Sequence, residues 1–115
     1  MIFAQDEIQS SPVTVCISLY NYENHIVETL ESVSAQTHSV IDLVVVEDCS
    51  PDGSLEVALR WLQEHSLRFN AIRLLQHTEN RGLSAARNTA IAASVTPYVF
   101  ILAADHLLFP RCIAR

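Results

Sequence analysis

Four apolar segments of the chain are each followed directly by polar residues whose side chains could bind a ligand. In chain order these polar residues are Tyr20-Asn21, Glu47-Asp48, residues 77–82 (HTENRG) and Asp105-His106. They supply an aromatic ring that can stack on a base, carboxylates that accept hydrogen bonds, and a guanidinium that can pair with phosphate. If the apolar segments are parallel strands of one sheet, these groups meet at its carboxyl edge, where such sheets bind ligands.

The apolar segments have the composition of strands that are buried on both faces. They cover residues 13–18, 43–47, 71–76 and 98–102 and begin at intervals of 30, 28 and 27 residues. Their hydrophobicity is continuous rather than alternating, which is typical of parallel sheets. The sequence therefore predicts four parallel strands.

Helical patterns fill the intervals between these strands. Apolar residues recur at positions 26, 27, 30 and 33 and again at 55, 58, 59 and 62, and an alanine-rich stretch covers residues 84–94. The Pro51-Asp52-Gly53 run predicts a turn, after which Ser54 is expected to cap the second helix. Pro97 prevents the third helix from continuing. Regular alternation of strand and helix predicts right-handed βαβ units and an α/β fold.

Composition excludes several classes of protein. The chain has 115 residues, enough for one domain, with two glycines and no lysine. Neither a G-x-G-x-x-G fingerprint nor a Walker A loop is therefore present, and a receiver-type signalling domain, which needs a lysine, is set aside. The formal charge is -6, with no Lys or Arg before Arg60, so a nucleic-acid partner is not expected.

The remaining composition predicts a cytoplasmic protein, and the alternative is association with a membrane through other parts of a longer protein. The longest apolar run, residues 98–104, is too short to span a bilayer. Three cysteines without paired spacing indicate neither a disulfide framework nor a zinc site. We interpret residues 1–12 as a flexible lead-in and residues 13–115 as the folded domain.

Four ordered motifs resemble the family 2 glycosyltransferases with the GT-A fold. They are VTVCISLYN (13–21), HIVETLESVSAQTHSVIDLVVVEDCSPDGS (25–54), NRGLSAARNTAIAAS (80–94) and YVFILAADHLLFP (98–110). The resemblance implies a three-layer α/β/α fold with a mainly parallel central sheet, here truncated to the half that binds the nucleotide sugar. It also implies transfer of a sugar, expected to be UDP-linked and transferred with inversion, to an acceptor hydroxyl.

The resemblance assigns Tyr20 and Asp48 to the nucleotide base. Tyr20 would stack on the base, and the alternative is a core tyrosine that closes the first strand. Asp48 would accept the N3–H of uracil, because an ionised carboxylate only accepts hydrogen bonds. The alternative for Asp48 is a cap on the turn over residues 50–54, a segment whose main role is that turn. Glu47 should point away from Asp48, since neighbouring side chains in a strand face opposite sides.

Arginines and one further aspartate would handle the diphosphate. Arg87, near the start of the third helix, is either a diphosphate ligand or a solvated surface residue, and Arg81 could serve instead or as well. Asp105 stands where the family carries its metal ligand, so the resemblance implies a divalent cation, Mn²⁺ or Mg²⁺. Ala103 and Ala104 stand where relatives usually have another acid, which predicts weaker metal binding, and His106 is a ligand or a surface residue.

The family's catalytic base and acceptor site lie further along the chain than Asp105, so the base is expected beyond Arg115. The acceptor itself, whether polysaccharide, lipid or protein, is not indicated. A non-catalytic nucleotide-binding or assembly module derived from the family is the alternative function. An apolar tail at Leu107, Leu108, Phe109 and Ile113 predicts a surface prone to self-association.

Overall fold

A computed structural model describes residues 3–5, 13–36, 41–94, 96 and 98–103. Asp105, His106 and the apolar tail lie outside these residues, so their predicted roles stay predictions. Among the described helices, none has the length and apolar character needed to cross a membrane.

The described strands form one mixed sheet. They are β1 (Phe3–Gln5), β2 (Val13–Leu19), β3 (Asp42–Glu47), β4 (Ala71–Gln76) and β5 (Tyr98–Ala103), in the spatial order β1-β4-β3-β2-β5. Strands β2 to β5 are parallel to one another, as predicted, and each begins within one residue of its predicted start.

Strand β1 was not predicted. Residues 3–5 pair antiparallel with β4, so that Phe3 faces Leu74 and Gln5 faces Ile72. The interpretation of residues 1–12 as a flexible lead-in missed this pairing, because three residues are too few to show a period. The pairing of β1 with β4 extends the sheet beyond the four parallel strands.

In the described part of the chain, three α-helices cover the two faces of the sheet. They are α1 (Ile26–Ser34), α2 (Ser54–Glu64) and α3 (Leu83–Ala93), and a short 3₁₀ turn (Ser66–Arg68) follows α2. Helices α1 and α2 contact each other and share a core with one face of the sheet, while α3 packs on the other face. The predicted three-layer α/β/α arrangement is thus confirmed.

Side-chain size differs between the two faces of the sheet. Val15, Ile17 and Leu19 of β2 point to the α1 and α2 side and are fully buried. Cys16 points to the α3 side, where it meets Ala86 and Ala90. Because small residues let a helix approach closely, α3 lies tightly against the centre of the sheet. Neighbouring side chains of a strand point to opposite faces of the sheet. Because helices cover both faces, successive residues of the strand must all be apolar.

The direction in which the chain moves across the sheet reverses next to β2. From β2 the chain steps outward to β3 and β4, and α3 then carries it back to β5 on the other side of β2. In open parallel sheets, ligands bind at the carboxyl ends of the strands beside such a reversal. The end of β2, with Tyr20 and Asn21 directly after it, is therefore the expected site.

Candidate functional site

A pocket of about 320 Å³ lies at this position. Its walls come from the end of β2 and the loop after it, the end of β3, and the loop that leads into α3. The lining residues are Ser18, Leu19, Tyr20, Tyr22, Asp48, Asn80, Gly82, Leu83 and Ala86. Most of this surface is apolar, with a few polar groups among it, which is the usual character of a small-molecule site.

Tyr20 lines the pocket rather than filling the core. Its side chain is 43% exposed and lines the pocket, so the alternative of a core tyrosine is wrong. The next residue, Asn21, has a φ of 60°, a left-handed conformation that asparagine tolerates better than most residues. This turn takes the chain out of the sheet immediately after Tyr20.

Asp48 is almost completely buried and anchors the loop that leads into α3. Its Oδ1 accepts hydrogen bonds from Nδ1 of His77 (2.7 Å) and the amide of Arg81 (2.9 Å), and its Oδ2 accepts one from the amide of Gly82 (2.8 Å). Asp48 therefore does not cap the turn over residues 50–54, which was the alternative. A carboxylate has about four acceptor positions, so Oδ2 retains room for one further donor.

Electrostatics keep this carboxylate ionised. Burial by itself would raise the pKa of Asp48, but the hydrogen bonds from Arg81, His77 and Gly82 and the charge of His77 outweigh that effect. The pKa of Asp48 consequently lies below its ordinary value. At neutral pH the buried group is therefore an anion that only accepts hydrogen bonds.

Glu47 points away from the pocket, as predicted from strand alternation. Its carboxylate accepts hydrogen bonds from the amides of Cys49 and Ser50 and from the side chain of Gln76. Cys49 has a φ of 58°, so the Glu47 carboxylate holds the chain through a second left-handed turn. Of the two neighbouring acids, only Asp48 lines the pocket.

The turn over residues 50–54 fixes the loop that carries Tyr20. Oγ of Ser50 accepts from the amide of Asn21 (2.9 Å), and Oγ of Ser54 accepts from the amide of Tyr22 (3.0 Å). Ser54 is not the cap that the sequence predicted. It is the first residue of α2, and Asp52 accepts from its amide (3.0 Å) and its hydroxyl.

His77 belongs to the polar segment 77–82 but was not selected from the sequence as a site residue. Its ring is only 8% exposed and bridges Asp48 to Oγ1 of Thr89 in α3, with Nε2 lying 2.8 Å from that hydroxyl. A signal was available in the spacing. Residues of β3 pair with residues of β4 that come 29 positions later, as Asp42 does with Ala71, and His77 follows Asp48 by the same 29 positions.

The two candidate arginines are next to lining residues of the pocket in the sequence but do not line it themselves. The backbone amide of Arg81 is fixed by Asp48, and its neighbours Asn80 and Gly82 line the pocket, while its side chain is exposed. Arg87 is exposed on the second turn of α3, next to the pocket residue Ala86. Neither guanidinium is a lining group.

Ser18 adds a polar group that sequence reasoning did not select. Its side chain lines the pocket and is 7% exposed, and among the described residues its Oγ has no hydrogen-bond partner. Ser18 pairs with Ala103 of β5, so it lies beside the point where the chain reverses. A buried hydroxyl without a partner is unusual in a folded protein.

A metal site does not emerge from the described part of the chain. No group of three or more His, Cys, Asp or Glu residues is placed there to hold an ion. Asp48 is the acid that lines the pocket, and its oxygens already accept hydrogen bonds from three protein donors. Asp105, the predicted ligand, lies outside the described residues, so no step is derived through a metal.

The layers, the strand order and a pocket at the reversal point define an α/β domain of the GT-A type. The chain belongs to glycosyl transferase family 2, whose model matches residues 14–115. This confirms the resemblance carried by the four sequence motifs.

Relatives with curated descriptions agree with this assignment. The chain is 31% identical over 99 residues to the putative glycosyltransferase EpsE of Bacillus subtilis, covering 86% of this chain and 34% of that protein. It is 38% identical over 93 residues to the glycosyltransferase GlyA of Streptococcus pneumoniae, covering 81% of this chain and 13% of that one. The chain therefore spans about a third or less of the length of these relatives.

Solved structures show the same fold. The mannosyltransferase PcManGT of Pyrobaculum calidifontis, determined with GDP-Man and Mn²⁺, matches with a TM-score of 0.78 and 33% identity over 89% of this chain and 30% of that one. TarS of S. aureus matches with a TM-score of 0.78 and 24% identity, over 90% of this chain and 30% of that one. The second likeness concerns the fold alone.

Proposed function

We propose that this chain forms the donor site of a glycosyltransferase that moves a sugar from a UDP-linked donor to an acceptor hydroxyl, with inversion. The observation that carries the proposal is the pairing of an exposed aromatic ring, Tyr20, with a free acceptor position on Asp48 in one pocket. A base stacked on Tyr20 would direct its N3–H toward Oδ2, and uracil offers a donor at that position.

The remainder of the donor would extend toward the loop before α3. Arg81 and Arg87 are the cations near this rim, and a guanidinium can bind two phosphate oxygens at once. The first turn of α3 also offers positive potential from its exposed amides. Ser18 supplies one further hydroxyl for the ribose or the diphosphate.

The proposal extends to a divalent cation held by Asp105. A family member 33% identical to this chain was solved with Mn²⁺ and GDP-Man. Such a cation neutralises the charge that develops on the departing diphosphate. The Asp105→Ala variant should bind a UDP-sugar equally well with and without Mn²⁺, whereas the unaltered chain should bind better with Mn²⁺.

Calorimetric titration with UDP-GlcNAc and GDP-mannose, with and without Mn²⁺, tests the donor site directly. We expect the UDP-sugar to bind more tightly. Tighter binding of GDP-mannose would overturn the assignment to uracil, and failure of both to bind would overturn the donor site. Slow release of UDP from the bound donor would favour a catalytic domain over a non-catalytic nucleotide-binding module.

A further inference from the structure

The ring of His77 makes a hydrogen bond from each of its nitrogens inside the domain. Nδ1 lies 2.7 Å from Oδ1 of Asp48, and Nε2 lies 2.8 Å from Oγ1 of Thr89. Ionised Asp48 can only accept, so Nδ1 carries a proton. The charge of the ring then depends on Nε2 alone.

The hydroxyl of Thr89 can accept a hydrogen bond from a protonated Nε2 or donate one to an unprotonated Nε2. This hydroxyl lies 2.9 Å from the carbonyl oxygen of Ala85, one turn earlier in α3. When the hydroxyl donates to that carbonyl, it accepts from Nε2–H, and His77 is an imidazolium. When the hydroxyl rotates and donates to Nε2, the ring is neutral. Both arrangements satisfy every buried group, so His77 can change charge without disrupting its surroundings.

The charge of His77 affects the strength of its hydrogen bond to Asp48. The Asp48 carboxylate accepts hydrogen bonds from two amides of the pocket rim, those of Arg81 and Gly82, and Asp48 itself lines the pocket. A hydrogen bond to an imidazolium is roughly twice as strong as one to a neutral ring. The protonated ring therefore fixes the carboxylate, and with it the rim, more firmly than the neutral ring does.

We propose that His77 is a positioning residue whose imidazolium form holds Asp48 and the Arg81–Gly82 rim in the geometry that binds the nucleotide. This inference rests on the proposed donor site. It gives nucleotide affinity a dependence on pH that arises from a residue outside the pocket wall.

The other ionisable groups near His77 are accounted for within the described residues. On β3, Asp48 contacts the ring, and Glu47 is engaged by the amides of Cys49 and Ser50. On the loop after β4, Glu79 and Arg81 have exposed side chains. On α3, Arg87 is exposed, and the group that contacts the ring is the hydroxyl of Thr89.

The test is the affinity for UDP-GlcNAc measured from about pH 5 to about pH 8, the range in which histidine side chains ordinarily change charge. The diphosphate of a UDP-sugar is esterified at both ends, so it does not itself titrate there. For the unaltered chain we expect the Kd to rise by about fivefold or more toward high pH, as a charge-assisted hydrogen bond becomes a neutral one. His77→Gln should bind weakly and equally at every pH.

Two substitutions at Thr89 keep the test decisive if His77→Gln does not fold. Thr89→Val preserves shape but removes the acceptor for Nε2–H, so affinity should begin to fall at a lower pH. Thr89→Ser keeps the hydroxyl and should restore the original profile. A flat profile in the unaltered chain, or the same profile in Thr89→Val, would overturn the role of His77. Absence of UDP-GlcNAc binding at every pH would instead reject the donor site.

Discussion

The amide of Tyr22 donates to the hydroxyl of Ser54 across a sequence distance of 32 residues. This bond joins the loop that follows β2 to the start of α2, and Ser54 is completely buried. The loop that carries Tyr20 is thereby held by a neighbouring element as well as by its own backbone hydrogen bonds. The position of the pocket-lining ring of Tyr20 thus depends on a serine that does not line the pocket.

Replacing Ser54 with Ala should destabilise the domain. The variant leaves the amide of Tyr22 without its acceptor and removes the hydroxyl donor to Asp52. We expect the free energy of unfolding in urea to fall by about 1–3 kcal/mol. Ser84→Ala, an exposed serine on α3, is the matched control and should change it by less than about 0.5 kcal/mol. Equal effects at the two positions would contradict this account.

Replacing Tyr20 with Ala should weaken nucleotide binding without affecting stability. Loss of one base-stacking ring costs about 1–3 kcal/mol of binding free energy, whereas a half-exposed tyrosine contributes little to the core. Calorimetry with UDP measures the first effect and urea unfolding the second. Tyr98, which is 66% exposed at the start of β5 and does not line the pocket, provides the control, because Tyr98→Ala should leave UDP binding unchanged.

Acid should remove the stability that Asp48 contributes. Its pKa in the folded chain lies below its ordinary value, so the contribution is fully present above about pH 4, the ordinary range of an aspartate. It is lost as the pH falls through the lowered folded pKa. Asp48→Asn should therefore be less stable than the unaltered chain by about 1–3 kcal/mol at neutral pH, and this gap should narrow below about pH 3.

Urea unfolding at several pH values measures this gap. Glu56→Gln, at an exposed position of α2, serves as the control and should stay within about 0.5 kcal/mol of the unaltered chain at neutral pH. A gap for Asp48→Asn that does not change between neutral and acid pH would refute the assignment.

The two glycines should differ in their tolerance of a side chain. Gly82 has a φ of 92° and a ψ of 166°, a combination that is essentially restricted to glycine, so Gly82→Ala should cost about 1–3 kcal/mol. Gly53 has a φ of -85°, and an added Cβ would meet only the carboxylate end of exposed Glu23. Gly53→Ala should cost less, because that side chain can move. Thermal melts of both variants compare the two, and a reversed order would contradict the backbone argument.

The parallel sheet explains why the strands could be predicted from the sequence and why the contact between Asp48 and His77 could not. The strands were predictable because burial on both faces demands continuous apolar residues, as in residues 43–46 of β3. Strand alternation likewise distinguished Asp48 from Glu47. The contact between Asp48 and His77 depends on the register between β3 and β4. The types of the residues alone do not determine that register.

Local capping was harder to predict than the strands. Ser54 has the residue type of a helix cap, yet its hydroxyl is used by Tyr22 and Asp52 from outside the helix. To predict whether Ser54 caps the helix or bonds with Tyr22, one must know the distance between α2 and the loop after β2. That distance is set by packing of the whole layer and not by neighbouring residues.

Strand β1 has a consequence for the solubility of the domain. An unpaired parallel strand exposes a row of amides and carbonyls that can recruit a strand from another molecule. Phe3, Ala4 and Gln5 pair with that side of β4, so a strand of three residues forms this edge of the sheet in place of the six-residue β4, and very short edge strands recruit other chains poorly. Removing these three residues would leave β4 at the edge, and the resulting protein should aggregate although every pocket residue is still present.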